Sequence, residues 1–431
     1  NSIDILGDAT SIFNQNYTYD AKGRLTESTA FDKSSEYGYN ESDQIVSKTL
    51  DNIQTVRTRN SKNLVTQEGI SNTASQGSIY TSSNTYDFKS DLTREETFGT
   101  HLIYNYGYEY DGANRLQYFD ADDMGIFVYN DIAYQYDNRG NITTYYKLTE
   151  PNEGDDYTER TETFQYSTTN QMFGIGWIYE TGQPNKVQGF QPNNNGSREI
   201  DGDKHAGYDL FNRMIWFTDE DDVKTTYTYS ASGMRLSKTT PDGTQTYYIW
   251  DGGNLVLEYR VLDMWEMECA YDNFYVYGAD GLAYRKDAQG DIFTYSTNYR
   301  GDVVLVTDEN QTVMAEYAYE PYGRIVDSYI ASGFSDNFGY RGEYHDPESG
   351  YIYLRNRYLD PKTGSFTTED PIRDGLNWFS YCGGNPVKFT DPWGLKVGIR
   401  NEELLNYITV LSDDKLSLTY DEKENVYFIG R

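Results

Sequence analysis

Apolar and polar residues alternate along most of the chain. Stretches such as TYTYSAS and EYAYEPY change character at every second position, which is the pattern of a β-strand with one buried face. The alternating runs are short, and they end at residues that favour turns, namely Gly, Asn and Asp. The pattern therefore predicts an all-β chain built from many short strands.

The strands recur as copies of one unit. The unit is an aromatic residue, Asp, two variable residues, Gly or Asn, Arg, and then Leu or Ile, as in YDAKGRL. Clear copies begin at Tyr19, Tyr39, Tyr86, Tyr110, Tyr136, Tyr208, Tyr229, Trp250 and Tyr319, and weaker copies begin at Arg59, Tyr166, Tyr277 and Tyr299. Asp-x-x-Gly/Asn is turn chemistry that includes a residue tolerant of positive φ. Each unit is thus predicted to be a β-hairpin.

A single hairpin is marginally stable, so we expect the units to stack on one another. Separate β-sandwich domains are the alternative, but the chain has no Pro-rich or Gly/Ser-rich linker, and we place no boundary before about residue 335. The least regular stretches, around 148–160 and 180–207, are predicted to be long loops or insertions.

The composition of the chain limits which kinds of partner and which kinds of structure it can have. The chain has 44 Tyr in 431 residues, and a ring with a polar tip suits a sheet that is wet on one side. The net charge of −32 argues against nucleic acid as a partner, and no apolar run is long enough for a membrane span. Cys269 and Cys382 allow one disulfide, although two buried free thiols are favoured. Since the chain starts without Met, we interpret it as a piece of a longer protein.

Within residues 358–398 three aspartates, Asp360, Asp370 and Asp391, each precede a proline. The simplest interpretation is three capped turns. The alternative is a pair of carboxylates that share a proton, and Asp370 and Asp374 are close enough in sequence to converge across a turn. The three histidines lack metal-ligand spacing, and Cys382 has no nearby base. We therefore predict neither a metal nor another cofactor.

The repeated units resemble the tyrosine-aspartate (YD) repeats of Rhs proteins. Residues 338–395 resemble the Rhs-associated core domain, through GYRGEYHDPESGYIYLRNRYLDPKTGSFTTEDPI and the terminal DPWGL. The resemblance implies hairpins that spiral into a hollow, cocoon-like shell, as in the B and C components of insecticidal toxin complexes and in teneurins. It divides the chain into a YD-repeat shell (1–337), the core (338–395) and the truncated start of a C-terminal toxin domain (396–431).

The resemblance also implies a single intramolecular cut by an aspartyl peptidase, between Leu395 and Lys396. Asp370 matches the aspartate of the family's first Asp-Pro element and is the leading catalytic candidate. Asp374 is the second candidate. The element reads DPIRDG here instead of DPxG, so the identity of the second aspartate stays open.

Two further residues take supporting roles in this interpretation. Asp391 is expected to shape the substrate strand, and Arg357 either orients a carboxylate or is an ordinary surface or ladder arginine. Residues 396–431 are expected to form a small α+β unit, with a capped helix from Asn401 and a hairpin that turns at Asp421–Asn425. The alternative is that this segment only plugs the shell.

The function implied is that of a polymorphic toxin shell, which encloses and releases its own C-terminal toxin segment in bacterial competition or host attack. Expected partners are that segment, a cognate immunity protein and an upstream plug or secretion module, with the protein secreted or on the cell surface. The alternative function is a teneurin-like or wall-associated protein that binds carbohydrate or a partner and is not cut.

Overall fold

The computed structural model describes residues 15–124, 128–150, 158–179, 186–193, 196–263, 268–373, 375–399, 417–421 and 426–430. The first strands are β1 (Asn16–Tyr19), β2 (Leu25–Ala30), β3 (Lys33–Tyr39), β4 (Ile45–Leu50), β5 (Ile53–Arg59), β6 (Val65–Asn72), β7 (Gly77–Tyr86), β8 (Leu92–Phe98), β9 (Ile103–Tyr110), β10 (Leu116–Asp123), β11 (Val128–Tyr136), β12 (Ile142–Glu150), β13 (Thr158–Tyr166) and β14 (Met172–Tyr179). The next are β15 (Lys186–Pro192), β16 (Arg198–Asp201), β17 (Lys204–Tyr208), β18 (Met214–Thr218), β19 (Lys224–Tyr229), β20 (Arg235–Thr239), β21 (Gln245–Asp251), β22 (Asn254–Asp263), β23 (Glu268–Gly278), β24 (Gly281–Asp287), β25 (Ile292–Thr297), β26 (Val303–Thr307), β27 (Val313–Tyr319) and β28 (Ile325–Ile330).

The remaining strands are β29 (Tyr344–Asp346), β30 (Tyr351–Leu354), β31 (Arg357–Asp360), β32 (Ser365–Phe366), β33 (Gly398–Ile399), β34 (Ser417–Asp421) and β35 (Val426–Gly430). The helical elements of the described residues are two single-turn 3-10 helices, at Tyr340–Gly342 and Cys382–Gly384. Neither is long enough to cross a membrane, and the described residues include no helix that could do so. The prediction of an all-β fold is confirmed.

Strands β1–β28 form one continuous antiparallel meander, in which each strand pairs with the strand before it. The meander rolls up on itself, because side chains far apart in sequence meet. The Tyr284 hydroxyl donates to the Ser34 carbonyl oxygen at 2.6 Å, and Arg300 pairs with Glu95 at 2.7 Å. The predicted spiral is confirmed. Among the described strands no backbone pairing joins β1 to β28, so the sheet curls without joining its two edges.

The geometry of one hairpin explains the repeated sequence. Asp111 Oδ1 accepts hydrogen bonds from the backbone N–H groups two and four residues later, and Asn114 takes the positive φ of 63° that the turn requires. Arg115 pairs with Asp111 at 2.6 Å and lies 4.5 Å over the ring of Tyr136. Tyr136 in turn donates to the Leu116 carbonyl oxygen at 2.7 Å. The motif therefore fastens each hairpin to the next.

The aromatic-to-carbonyl bond recurs along the sheet. Its donors also include Tyr39, Tyr86, Tyr110, Tyr166, Tyr229, Trp250 and Tyr319. We predict that Tyr110→Phe, which loses the bond to the Leu92 carbonyl oxygen, destabilises the protein by about 1 kcal/mol. Tyr19→Phe is the control, because Tyr19 is exposed, and its effect is expected within about 0.5 kcal/mol. Urea unfolding of both variants measures the difference, and equal stabilities would contradict the fastening role.

The segment after the meander packs inside its curve. Strands β29–β32 form a separate antiparallel sheet, and its side chains join two large apolar clusters with the meander. Ile352 and Leu359 pack in one cluster with Phe119, while Tyr353 packs in the other with Phe217. The core segment thus contacts both the early and the late hairpins, and the curled sheet positions it.

Three details differ from the sequence predictions or lie beyond the described residues. In the stretch 180–207, predicted to be a long loop or insertion, the described residues are largely β15, β16 and β17. Both cysteines are free thiols as favoured, but Cys269 is exposed while Cys382 is buried. The hairpin of β34 and β35 is confirmed by its pairing, whereas the helix predicted from Asn401 lies outside the described residues.

Candidate active site

The turns of successive hairpins hold the loops that follow the inner sheet. Asn377 Nδ2 donates to Asn141 Oδ1 at 2.8 Å, and Asn385 Nδ2 donates to the Asn114 carbonyl oxygen at 2.9 Å. Asn114 has positive φ, so its turn conformation directs the carbonyl toward the loop. The repeat that builds the sheet therefore also anchors the Asp-Pro region.

Arg357, the first residue of β31, is the centre of the site. Its side chain is 4% exposed, its Nη1 donates to the Trp378 carbonyl oxygen at 2.6 Å, and its Nε donates to the Gly394 carbonyl oxygen. The guanidinium carbon lies 3.5 Å from the centre of the Phe366 ring. These contacts fix the planar fork of the arginine in one orientation.

The third nitrogen of Arg357 brings two of the Asp-Pro carboxylates together. Nη2 lies 3.9 Å from Asp370 Oδ2 and 3.5 Å from Asp391 Oδ2. Both aspartate side chains are buried. Two carboxylates therefore face one cation, which is an arrangement that favours a single negative charge shared between them.

Asp391 also contacts the peptide bond of interest. Its Oδ1 accepts hydrogen bonds from the backbone N–H of Leu395 at 2.9 Å and of Lys396 at 3.1 Å. The second of these nitrogens belongs to the Leu395–Lys396 peptide bond. Asp391 thus closes the turn and holds the bond at the same time.

Burial disfavours charge on both sides of the Asp391–Arg357 pair. Burial raises the pKa of the Asp391 carboxyl, and the nearby Asp370 raises it further. Arg357 and the N–H groups of Leu395 and Lys396 act in the opposite direction and lower this pKa. Burial also lowers the pKa of the Arg357 guanidinium, against the attraction of both carboxylates. The raised pKa suits Asp391 to carry a proton and to release it to a neighbouring group.

A cavity of about 320 Å³ adjoins these groups. Arg357, Asp370, Asp391 and Leu395 all contribute to its lining. The cavity is large enough for several water molecules, and the charged side chains supply the polar partners that a bound water needs. The site can therefore hold a nucleophilic water beside the Leu395–Lys396 bond.

The structure brings together most of the predicted site. Asp370, Arg357, Leu395 and Lys396 converge in the contacts given above, and Asp391 lies closer to the bond than its predicted supporting role required. Asp374 lies outside the described residues.

The third Asp-Pro aspartate of this region has a structural role. Asp360 caps a turn, since its carboxylate accepts a hydrogen bond from the Lys362 N–H at 2.9 Å and pairs with Arg198. Among the described residues no group of three His, Cys, Asp or Glu side chains is placed to hold a metal ion. Burial raises the pKa of the Cys382 thiol, which makes it a poor nucleophile.

A comparison with solved structures finds proteins with a similar fold. The TcdB2-TccC3 toxin complex matches over 90% of this chain and 22% of its own, with a TM-score of 0.63 and 18% identity. No protein-family model matches the sequence. In sequence, the tRNA3(Ser)-specific nuclease WapA of Bacillus spizizenii is 28% identical over 272 residues, 61% of this chain and 11% of WapA. The repeat geometry, the curled sheet and these relatives agree. The chain is similar to Rhs/YD-repeat proteins.

Other relatives of this YD-repeat chain are toxins by name. Toxin protein Tse5 of Pseudomonas aeruginosa is 40% identical over 58 residues, 13% of this chain and 4% of Tse5. Double-stranded DNA deaminase toxin A of Burkholderia cenocepacia is 24% identical over 310 residues, 66% of this chain and 18% of that toxin. The YD-repeat chain thus spans between about a twentieth and a fifth of the length of these curated relatives.

Proposed function

We propose that this chain is the shell portion of a polymorphic toxin and that it cuts itself once, between Leu395 and Lys396. The observation that carries the proposal is the placement of Asp391, which binds the N–H of this peptide bond and shares Arg357 with Asp370. The toxin relatives support the wider role. The proposed partners are the segment from Lys396 onward, an immunity protein and an upstream plug or secretion module, and the proposed location is outside the producing cell.

The geometry suggests a role for each group in the proposed cut. Asp370, which faces Arg357, takes a proton from a water in the cavity, and the resulting hydroxide adds to the carbonyl carbon of Leu395. Asp391, whose pKa burial raises, carries the second proton and delivers it to the Lys396 nitrogen. The C–N bond breaks as that nitrogen becomes an amine, and Leu395 gains a terminal carboxyl group. One water is consumed, and one proton passes in net from Asp391 to Asp370.

Cell-free synthesis of the 431-residue chain tests the proposal. A time course should show the full-length chain giving way to two fragments, and sequencing of the new N-terminus should read Lys-Val-Gly-Ile-Arg. Tenfold dilution should leave the rate unchanged, because the reaction is within one chain. A chain that stays intact, or is cut at another bond, would refute the proposal.

A further inference from the structure

We propose that Arg355 and Asn356 are positioning residues for the cut, an inference that rests on the proposed function. Arg355 Nη1 donates to the Pro392 carbonyl oxygen at 2.7 Å, and Asn356 Nδ2 donates to that of Trp393 at 3.0 Å. Arg357 Nε continues the series at Gly394. Three consecutive side chains thus bind three consecutive carbonyl groups that lead to the Leu395–Lys396 bond. We call residues 355–357 the carbonyl clamp.

The clamp lies on a turn whose sequence is energetically unfavourable for its backbone conformation. Leu354 pairs with Arg357, so Arg355 and Asn356 form a two-residue hairpin loop, for which Asn-Gly is the favoured sequence. Arg355 adopts a positive φ of 60°, which costs a residue with a Cβ about 1 kcal/mol or more. Its Nε donates to the Gly253 carbonyl oxygen at 2.9 Å, and its Nη1 contacts Glu343. These bonds hold the strained arginine, and its reach to the Pro392 carbonyl is a function that glycine cannot supply.

The substrate turn fits closely against the clamp. Gly394 has a φ of 62°, and a Cβ there would lie 3.0 Å from the Leu354 carbonyl oxygen and 3.2 Å from the Arg357 backbone. A Cβ there would press on both groups, and the positive φ adds strain for any residue other than glycine. The close fit of the clamp therefore favours glycine at position 394 of DPWGL. The clamp also hydrogen-bonds the carbonyl oxygens of Pro392, Trp393 and Gly394.

The clamp and Asp391 together hold the groups on both sides of one carbonyl. The clamp binds the carbonyl oxygens of residues 392–394, and Asp391 binds the N–H groups of Leu395 and Lys396. Among the hydrogen bonds of the described residues, none engages the Leu395 carbonyl oxygen. This is the carbonyl that water must attack. Fixing the groups on either side of it keeps the reacting atoms in register, and a misplacement of about 1 Å can cost about 100-fold in rate.

Asn356→Asp tests the clamp, because it replaces the amide donor with a carboxylate of the same shape. At pH 7.5 the carboxylate cannot donate to the Trp393 carbonyl oxygen, and we expect the cut to slow by at least about tenfold. Asn72→Asp is the matched control. Asn72 Nδ2 also makes one side-chain bond, at 2.7 Å to Gln311, but it lies far from the site. This control should be cut at the rate of the unchanged chain.

The pH dependence of the Asn356→Asp variant separates positioning from a general structural effect. As the pH falls toward 4, the introduced carboxylate gains a proton and can again donate to Trp393, so the rate relative to the unchanged chain should rise toward one. A rate equal to that of the unchanged chain at pH 7.5 would overturn the inference, as would a reduced ratio that does not change with pH. Thermal unfolding in an uncut Asp370→Asn background verifies that the variant folds. If the unchanged chain itself stays uncut, the proposed function fails and not the clamp alone.

Discussion

Asp370→Asn and Asp391→Asn are each expected to leave the chain essentially uncut, with the rate lowered by about 100- to 10,000-fold. This is the usual contribution of a general acid or base. Asparagine preserves the shape of both turns, because its amide oxygen can still accept the Ile372 N–H at position 370 and the Leu395 N–H at position 391. The loss should therefore report on proton transfer and not on folding. Gel electrophoresis of a cell-free time course measures it.

Two aspartate variants serve as controls for this result. Asp287→Asn changes the hairpin turn between β24 and β25, where Asp287 Oδ1 likewise accepts two backbone N–H bonds, at 2.9 and 3.0 Å. It should be cut normally. Asp374→Asn tests the other candidate for the second aspartate and should also be cut normally. If Asp374→Asn blocks the cut while Asp391→Asn does not, Asp374 is the partner of Asp370 and our assignment of Asp391 is wrong.

Arg235→Met is expected to be the most destabilising change in the shell, at about 3–5 kcal/mol. Arg235 is fully buried and pairs with buried Asp346 at 2.5 Å. Its guanidinium also lies 4.7 Å from the rings of both Tyr248 and Tyr353. Removing the arginine leaves a buried carboxylate without its main partner, which is the costly way to break a buried pair. Urea unfolding in the uncut Asp370→Asn background measures the loss.

Two variants show whether the unpaired charge is the cause. Adding Asp346→Asn to Arg235→Met removes the uncompensated carboxylate and should restore part of the stability. Arg94→Met breaks the exposed pair with Glu96, whose side chains are 55% and 42% exposed, and should cost less than about 1 kcal/mol. A double variant as unstable as Arg235→Met would show that the arginine acts through packing instead.

The repeated hairpin can be predicted from the sequence because the contacts that define it join residues close together in the chain. The turn at Asp111, its positive-φ residue and its arginine all lie within a few positions of each other, so one unit carries its own explanation. The same physics explains the misreading of residues 186–207. There the Ser197 N–H donates to Asn193 Oδ1 at 3.0 Å and Gly196 has a φ of 83°. These described residues repeat the aspartate-type N–H bond and the positive φ of the YD turns.

The second carboxylate of the proposed site is harder to predict from sequence, because its position depends on tertiary contacts. Sequence spacing favours Asp374 as the partner of Asp370, and Asp374 lies outside the described residues; the proposed role of Asp391 rests on its place beside the same arginine as Asp370. The clamp at Arg355 and Asn356 was missed for the same reason. Its only trace in the sequence is a two-residue hairpin loop without glycine, in LRNR, and its meaning emerges only when residues 392–394 lie against it.

Intact mass spectrometry of two chains made together tests the central claim most directly, namely that each chain cuts itself with its own carboxylates. Isotope-labelled Asp370→Asn and the unlabelled, unchanged chain are synthesised in one reaction. We predict that the unlabelled chain appears as fragments 1–395 and 396–431, while the labelled chain keeps its full-length mass. Fragments from the labelled chain would contradict the claim. An unlabelled chain that remains whole would also contradict it, and would favour the uncut surface protein as the alternative function.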